Sequence, residues 1–276
     1  MNNAKIAFIG AGNMTRSMVA GLIKHQYPAE HICLSNPTTA KLEVLSKNFK
    51  VRTTTSNKQA AADADVLVLA VKPQQIPLVC NELSELIAQR KPLLISVAVS
   101  ISTTQLQRWC CHDVAIVRCM PNIAALLSAS ITGLFANEHV SQAHKNLSES
   151  ILRSIGSIIW CQNEAEIEMI AATSGSGPAY VFSFMEALKT AATQLGLSPE
   201  QAHMMVLQTT LGAARLAMEC GGESLSDLRR RVTSPNGITE AAMHALNESN
   251  FSAALTQAVV SAHHRAQQLT EQFDER

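Results

Sequence analysis

The chain has 276 residues, 47% of them hydrophobic, and 22 basic residues balance 22 acidic ones to a formal net charge of zero. That apolar content supports a sizeable core and excludes an intrinsically disordered chain, while the length fits one large domain or two ordinary ones, two being expected. Neutrality removes the general attraction on which non-specific binding to nucleic acid or anionic membranes depends, so neither is expected as a partner.

Lys5 to Gly10 is a short apolar run closed by a glycine turn, and Asn13 to Lys24 carries apolar residues at helical spacing, so the two read as a strand feeding a helix. The pattern repeats with His31 to Ser35 and Pro37 to Asn48, with Val66 to Val71 and Gln75 to Ala88, and with Leu93 to Val99 and Thr103 to Cys110. Val114 to Val117 adds another strand. Near-continuous apolar strands suit a parallel sheet covered on both faces, which predicts a doubly wound α/β domain over residues 1–162. The turn Gly10-Ala11-Gly12-Asn13-Met14 matches the first two glycines of the dinucleotide fingerprint, one for the tight turn and one for close approach of the pyrophosphate. Thr15 stands where the third glycine would be and predicts slightly wider packing of helix on strand. After the second strand the chain reads Ser35-Asn36-Pro37-Thr38-Thr39, with no acid before Glu43 to repel a ribose phosphate. NADP is favoured there over NAD, although the same stretch also reads as an ordinary turn and helix cap.

Beyond Pro121-Asn122 come a strand at Ser130 to Ala136, a helix at His139 to Ser154 and a strand at Gly156 to Cys161, and then helices dominate residues 163–276. These are expected at Glu164 to Thr173, Ala179 to Leu195, Pro199 to Cys220, Ser224 to Arg231, Thr239 to Asn247 and Phe251 to Phe273. Gln208 to Met218 is small and apolar enough to be buried on most sides, partly against another subunit, so at least a homodimer is predicted. Two turns look specialised: Ser174-Gly175-Ser176-Gly177-Pro178, and Val232-Thr233-Ser234-Pro235-Asn236-Gly237-Ile238-Thr239. Each combines a tight turn with a helix start whose N–H groups could receive an anion, and each also reads as plain capping by Ser176 or Thr239.

The seven cysteines, including the adjacent Cys110 and Cys111, form no disulfide framework, and the scattered histidines show no metal-ligand spacing, so no metal is expected. The start at Met1-Asn2-Asn3 runs straight into a strand, and no apolar run approaches a membrane span. A cytoplasmic protein is the expectation.

Taken together, Phe8-Ile9-Gly10-Ala11-Gly12-Asn13-Met14, Ala70-Val71-Lys72-Pro73, Arg118-Cys119-Met120-Pro121-Asn122, Ser174 to Phe182 and Val232 to Thr239 resemble the pyrroline-5-carboxylate reductase family over essentially the whole chain. The resemblance implies a Rossmann-type domain, a helical domain forming an intertwined dimer, and NADPH as hydride donor, with NADH as the alternative. Some members assemble dimers into decamers. It further implies a cofactor site of Ile9, Gly10, Ala11, Gly12, Asn13, Met14, Ser35, Asn36, Asn57, Ala70, Val71, Lys72, Pro73 and Ala98. The substrate, a cyclic imine carboxylate, would be held by Ser174, Gly175, Ser176, Gly177, Asn236, Gly237 and Ile238, with Thr239 beside the imine nitrogen. Asn236 departs from the family's paired glycines, and Ile238 stands where a small residue or threonine is usual. The alternatives are a related NADP-dependent imine or hydroxy-acid oxidoreductase and a non-catalytic NADPH-binding regulatory protein.

Overall fold

The structure, a computed structural model, describes residues 4–110 and 113–274, so the expectations that fall on Met1, Asn2, Asn3 and Cys111 lie outside the described residues. Eight strands form one sheet: β1 Ile6–Ile9, β2 Ile32–Ser35, β3 Arg52–Thr54, β4 Val66–Leu69, β5 Leu93–Ser96, β6 Ile116–Met120, β7 Ser130–Ala136 and β8 Gly156–Trp160. Their order is β3-β2-β1-β4-β5-β6-β7-β8, parallel throughout except where β6 meets β7. The order reverses between β1 and β4, the topological switch point where open α/β sheets bind ligands.

The helices of this part are α1 Asn13–Lys24, α2 Thr39–Phe49, α3 Asn57–Ala61, α4 Ile76–Arg90, α5 Thr103–Cys110, α6 Gln142–Leu152 and α7 Ala165–Ile170. Strand alternation divides the side chains between two cores. Ile6, Phe8, Val66 and Val68 pack with Met18 and Leu22 of α1 and Ile151 of α6, whereas Ala7, Ile9, Leu67 and Leu69 pack with Leu83 of α4 and Leu106 of α5. Each of these large side chains stabilises the fold by roughly 1.5–3 kcal/mol on burial.

The remaining helices are α8 Gly177–Gln194, α9 Pro199–Glu219, α10 Leu225–Arg231, α11 Ile238–Glu248 and α12 Phe251–Asp274. The chain forms two compact units, one running to Ser176 and resuming at Ala262, the other Gly177–Ser261. This differs from the expected boundary at residue 162. Ile167 of α7 is buried, Glu168 pairs with Arg118 of β6, and Phe273 of α12 packs in the core of the first unit. The second unit buries only Ala202 and Val206 within a single chain. Gln208 to Met218, expected to be buried on most sides, is therefore open in one chain, with Leu211 52% exposed and Leu216 44%.

Candidate dinucleotide and substrate sites

The first strand ends against its neighbours through the backbone. Gly10 N–H donates to the Ser35 carbonyl at 2.9 Å, and Ala70 N–H donates to the Ile9 carbonyl at 2.9 Å. Gly10 has φ 107, and a Cβ there would lie 2.7 Å from the Ala70 oxygen, so conformation and space both demand glycine. Gly12 is different. It caps α1 in an extended conformation at φ −86, and a Cβ on it would meet no protein atom within 4 Å. Packing of the chain does not require glycine there, and the space beside it is open.

The start of α1 has no side-chain cap and no acid in its first turn, leaving its N–H groups and positive dipole end for an anion. Thr15, in the place of the third glycine, is fully buried, and its hydroxyl donates to the Gly10 carbonyl at 2.7 Å, tying the turn to the helix that follows.

The other residues expected on the cofactor side gather at the same edge. Ser35 Oγ donates to Asn57 Oδ1 at 2.5 Å, Asn57 Nδ2 donates to Glu82 of α4 at 2.7 Å, and Asn36 Oδ1 accepts the Ala11 N–H at 3.4 Å. Ala70, Val71, Lys72 and Pro73 follow β4, with Lys72 leading a short 3-10 turn, and Ala98 follows β5. Beside the glycine turn, a cavity of about 310 Å³ is lined by Ala11, Gly12, Asn13, Arg16, Lys41 and Val44, among others. Arg16 and Lys41 were not anticipated. They could have been found by placing the first turns of α1 and α2 at one sheet edge, where two cations come together from separate segments. Glycine turn, open helix start and paired cations fit a phosphate-bearing dinucleotide.

Ser174 and Gly175 lie in a π-helical turn, Ala171–Gly175, that follows α7. Ser176 reaches back: its N–H and Oγ both donate to the Ala171 carbonyl, at 2.9 and 3.3 Å. In the second unit, described by itself, α11 is capped by Gly237 with no side-chain cap bond, which places Thr239 inside the first turn rather than at the cap. Asn236 adopts φ 58, the left-handed conformation that asparagine tolerates. Its N–H already donates to Glu240 Oε2 at 2.7 Å, and Gly237 N–H donates to the Ser234 carbonyl at 3.0 Å. The N–H groups left facing out of this helix start are those of Ile238, Thr239 and Glu240.

Burial pushes the Cys119 thiol far above its ordinary range and that of Cys161 up to about 11, so neither is a thiolate near neutrality. Among the described residues no cluster of His, Cys, Asp and Glu is arranged to hold a metal, and no helix is long and apolar enough to cross a membrane.

The chain is similar to known proteins over nearly its whole length. A family model described as pyrroline-5-carboxylate reductase dimerisation matches residues 164–269, and one described as NADP oxidoreductase, coenzyme F420-dependent, matches residues 5–100. The pyrroline-5-carboxylate reductase of Pseudomonas aeruginosa is 42% identical over 273 residues, covering 99% of each chain. Among solved structures, a pyrroline-5-carboxylate reductase from Coxiella burnetii has a TM-score of 0.94 at 47% identity, over 98% of this chain and 99% of that one. A pyrroline carboxylate reductase from Plasmodium falciparum with NADP bound has a TM-score of 0.86 at 27% identity, over 98% and 99%.

Proposed function

The chain belongs to the pyrroline-5-carboxylate reductase family, and from that premise we propose that it reduces 1-pyrroline-5-carboxylate to L-proline with NADPH. The observation that carries the cofactor half is Gly12, whose missing Cβ leaves space that no protein atom claims, at an uncapped helix start. When bound, the reduced nicotinamide supplies the hydride that adds to the imine carbon. Gly10 to Met14 would cradle the pyrophosphate through backbone N–H groups. Arg16 and Lys41 would face the adenosine ribose, with Ser35 and Asn36 at the end of β2 shaping the turn beside it, and the two cations favour NADPH over NADH because only NADPH carries a phosphate there.

On the substrate side, the Ile238 and Thr239 N–H groups and the dipole of α11 would receive the carboxylate. The Thr239 hydroxyl would hydrogen-bond the imine nitrogen, which takes a proton from water as hydride adds to the carbon, so that C=N becomes CH–NH. Few ionisable residues are needed, because holding the imine in place supplies much of the acceleration. The Ser174 to Gly177 turn, of the same or a partner subunit, would serve the substrate as well. The helical unit would serve as the subunit interface. Tyr180, Phe184, Leu188, Leu246, Phe251 and Leu255 help to line an apolar cavity of about 900 Å³ that suits a second copy, and a further step from dimer to decamer would be read from the particle mass.

The decisive assay follows NADPH absorbance with the imine as substrate. Pure, folded protein showing no imine-dependent consumption would sink the proposal. Thr239→Ala should lower kcat about 100-fold while leaving NADPH affinity unchanged; equal turnover would remove Thr239 from the mechanism.

A further inference from the structure

Arg118, Met120 and Asn122 share one face of β6 and its extended continuation. Val117 and Cys119 pack in one core and Ile116 in the other, and alternation carries the Ile116 side onward through residues 118, 120 and 122, the last extended at φ −124 and ψ 177. Each of the three meets a successive part of the segment that presents the Ser174 turn. Arg118, 3% exposed, pairs with Glu164 at 3.0 Å just before α7 and with Glu168 at 2.7 Å inside it. Met120 Cε lies against Gly175, 2.7 Å from where a Cβ on that residue would stand, a close approach that the flexible end of Met120 could relieve by moving. Asn122 Nδ2 donates to the Ser174 carbonyl at 3.1 Å.

Between these contacts lies the π-helical turn, closed by the Ser176 N–H reaching back five residues to Ala171. A π turn accommodates one residue more than an α turn, is rare, and is frequently found at functional sites. Its relaxation to α-helical geometry would rotate every side chain beyond it by about 100° about the helix axis.

We propose that this face of β6 is a splint holding the Ser174–Ser176 turn in π-helical register, and that Asn122 is a positioning residue for the reduction. The inference rests on the reading of that turn as part of the substrate pocket. The two ends of the Asn122 side chain separate its roles. Oδ1 accepts the Ala124 N–H at 3.0 Å and caps the short 3-10 helix that follows, while Nδ2 alone holds Ser174. Asn122→Asp keeps the cap and replaces the donor with an acceptor; Asn122→Ser keeps a neutral cap and is too short to bridge to Ser174.

Both variants are measured for imine kcat and KM, NADPH affinity, thermal midpoint and amide hydrogen exchange. The expected result is a kcat/KM for the imine lower by about 10- to 100-fold, with NADPH affinity within about twofold of wild type and faster exchange confined to residues 171–176. Unchanged kcat/KM with unchanged exchange overturns the proposal. So does a loss of NADPH affinity in step with activity, which would make Asn122 a cofactor contact. Should the wild type reduce no imine, the functional reading fails by itself and exchange alone decides: unchanged rates at 171–176 refute the splint, and locally faster rates sustain it. If the Asp variant does not fold, the neutral Ser variant decides by the same criteria.

Discussion

Arg16 and Lys41 give the cofactor reading its sharpest single-residue test. Both are exposed side chains beside the glycine turn, so solvent screens them, and the gain from pairing them with a ribose phosphate is modest. Replacing both with alanine should weaken NADPH binding about tenfold, or roughly 1.4 kcal/mol, and leave NADH unaffected. Fluorescence titration with each cofactor reads this directly, and raising the salt should narrow the gap in the wild type. Equal losses for the two cofactors would remove the pair from phosphate recognition. At this scale the sequence was informative where one local motif determines the answer. Gly10 could be read as the residue of a tight turn, and its φ of 107 agrees. Contacts between distant segments were not legible: nothing in the sequence joins Arg16 to Lys41, or shows that Glu240 already occupies the Asn236 N–H.

Among the elements, α12 departs most from a simple two-part chain. Its end belongs to the first unit, where Phe273 is 7% exposed in the core shared with α4 and α5. Gln105 Nε2 of α5 donates to the Thr270 carbonyl at 3.1 Å, and Thr270 Oγ1 donates to Glu168 of α7 at 3.3 Å. Phe273→Ala should therefore destabilise the first unit by about 3–5 kcal/mol, although it lies near the end of the sequence. Urea unfolding monitored at Trp109, in the same core, tests this; an unchanged midpoint would mean that α12 merely rests against the sheet. Periodicity revealed most strands and helices because their apolar faces are long enough to repeat. It missed β3 and α3, which have three and five residues and too few apolar positions to show a period. It read α7 as continuing to Thr173, because a π-helical turn inserts its extra residue without interrupting the composition.

For the molecule as a whole, the question is how Gly177–Ser261 stays folded. Fixing each residue costs about 1–2 kcal/mol of backbone entropy, and apolar burial offsets it at only about 25 cal/mol per Å². A segment that buries only Ala202 and Val206 on its own cannot meet that cost, while Phe182 at 56%, Phe184 at 45% and Leu211 at 52% exposure leave a large apolar surface uncovered. The 47% hydrophobic content thus exceeds what one chain buries, and a second copy accounts for the surplus. On this argument the helical unit has no stable solitary form, and assembly and folding should fail together. Phe184→Asp places a charge among the apolar side chains lining the cavity shared with Leu188 and Leu255. Light scattering should then show the particle reduced to the 29.7 kDa chain, with helical circular dichroism and imine reduction both diminished. A variant that is monomeric yet fully helical and active would show that the helices stand without a partner, and one that stays oligomeric would show that the subunit contact lies elsewhere.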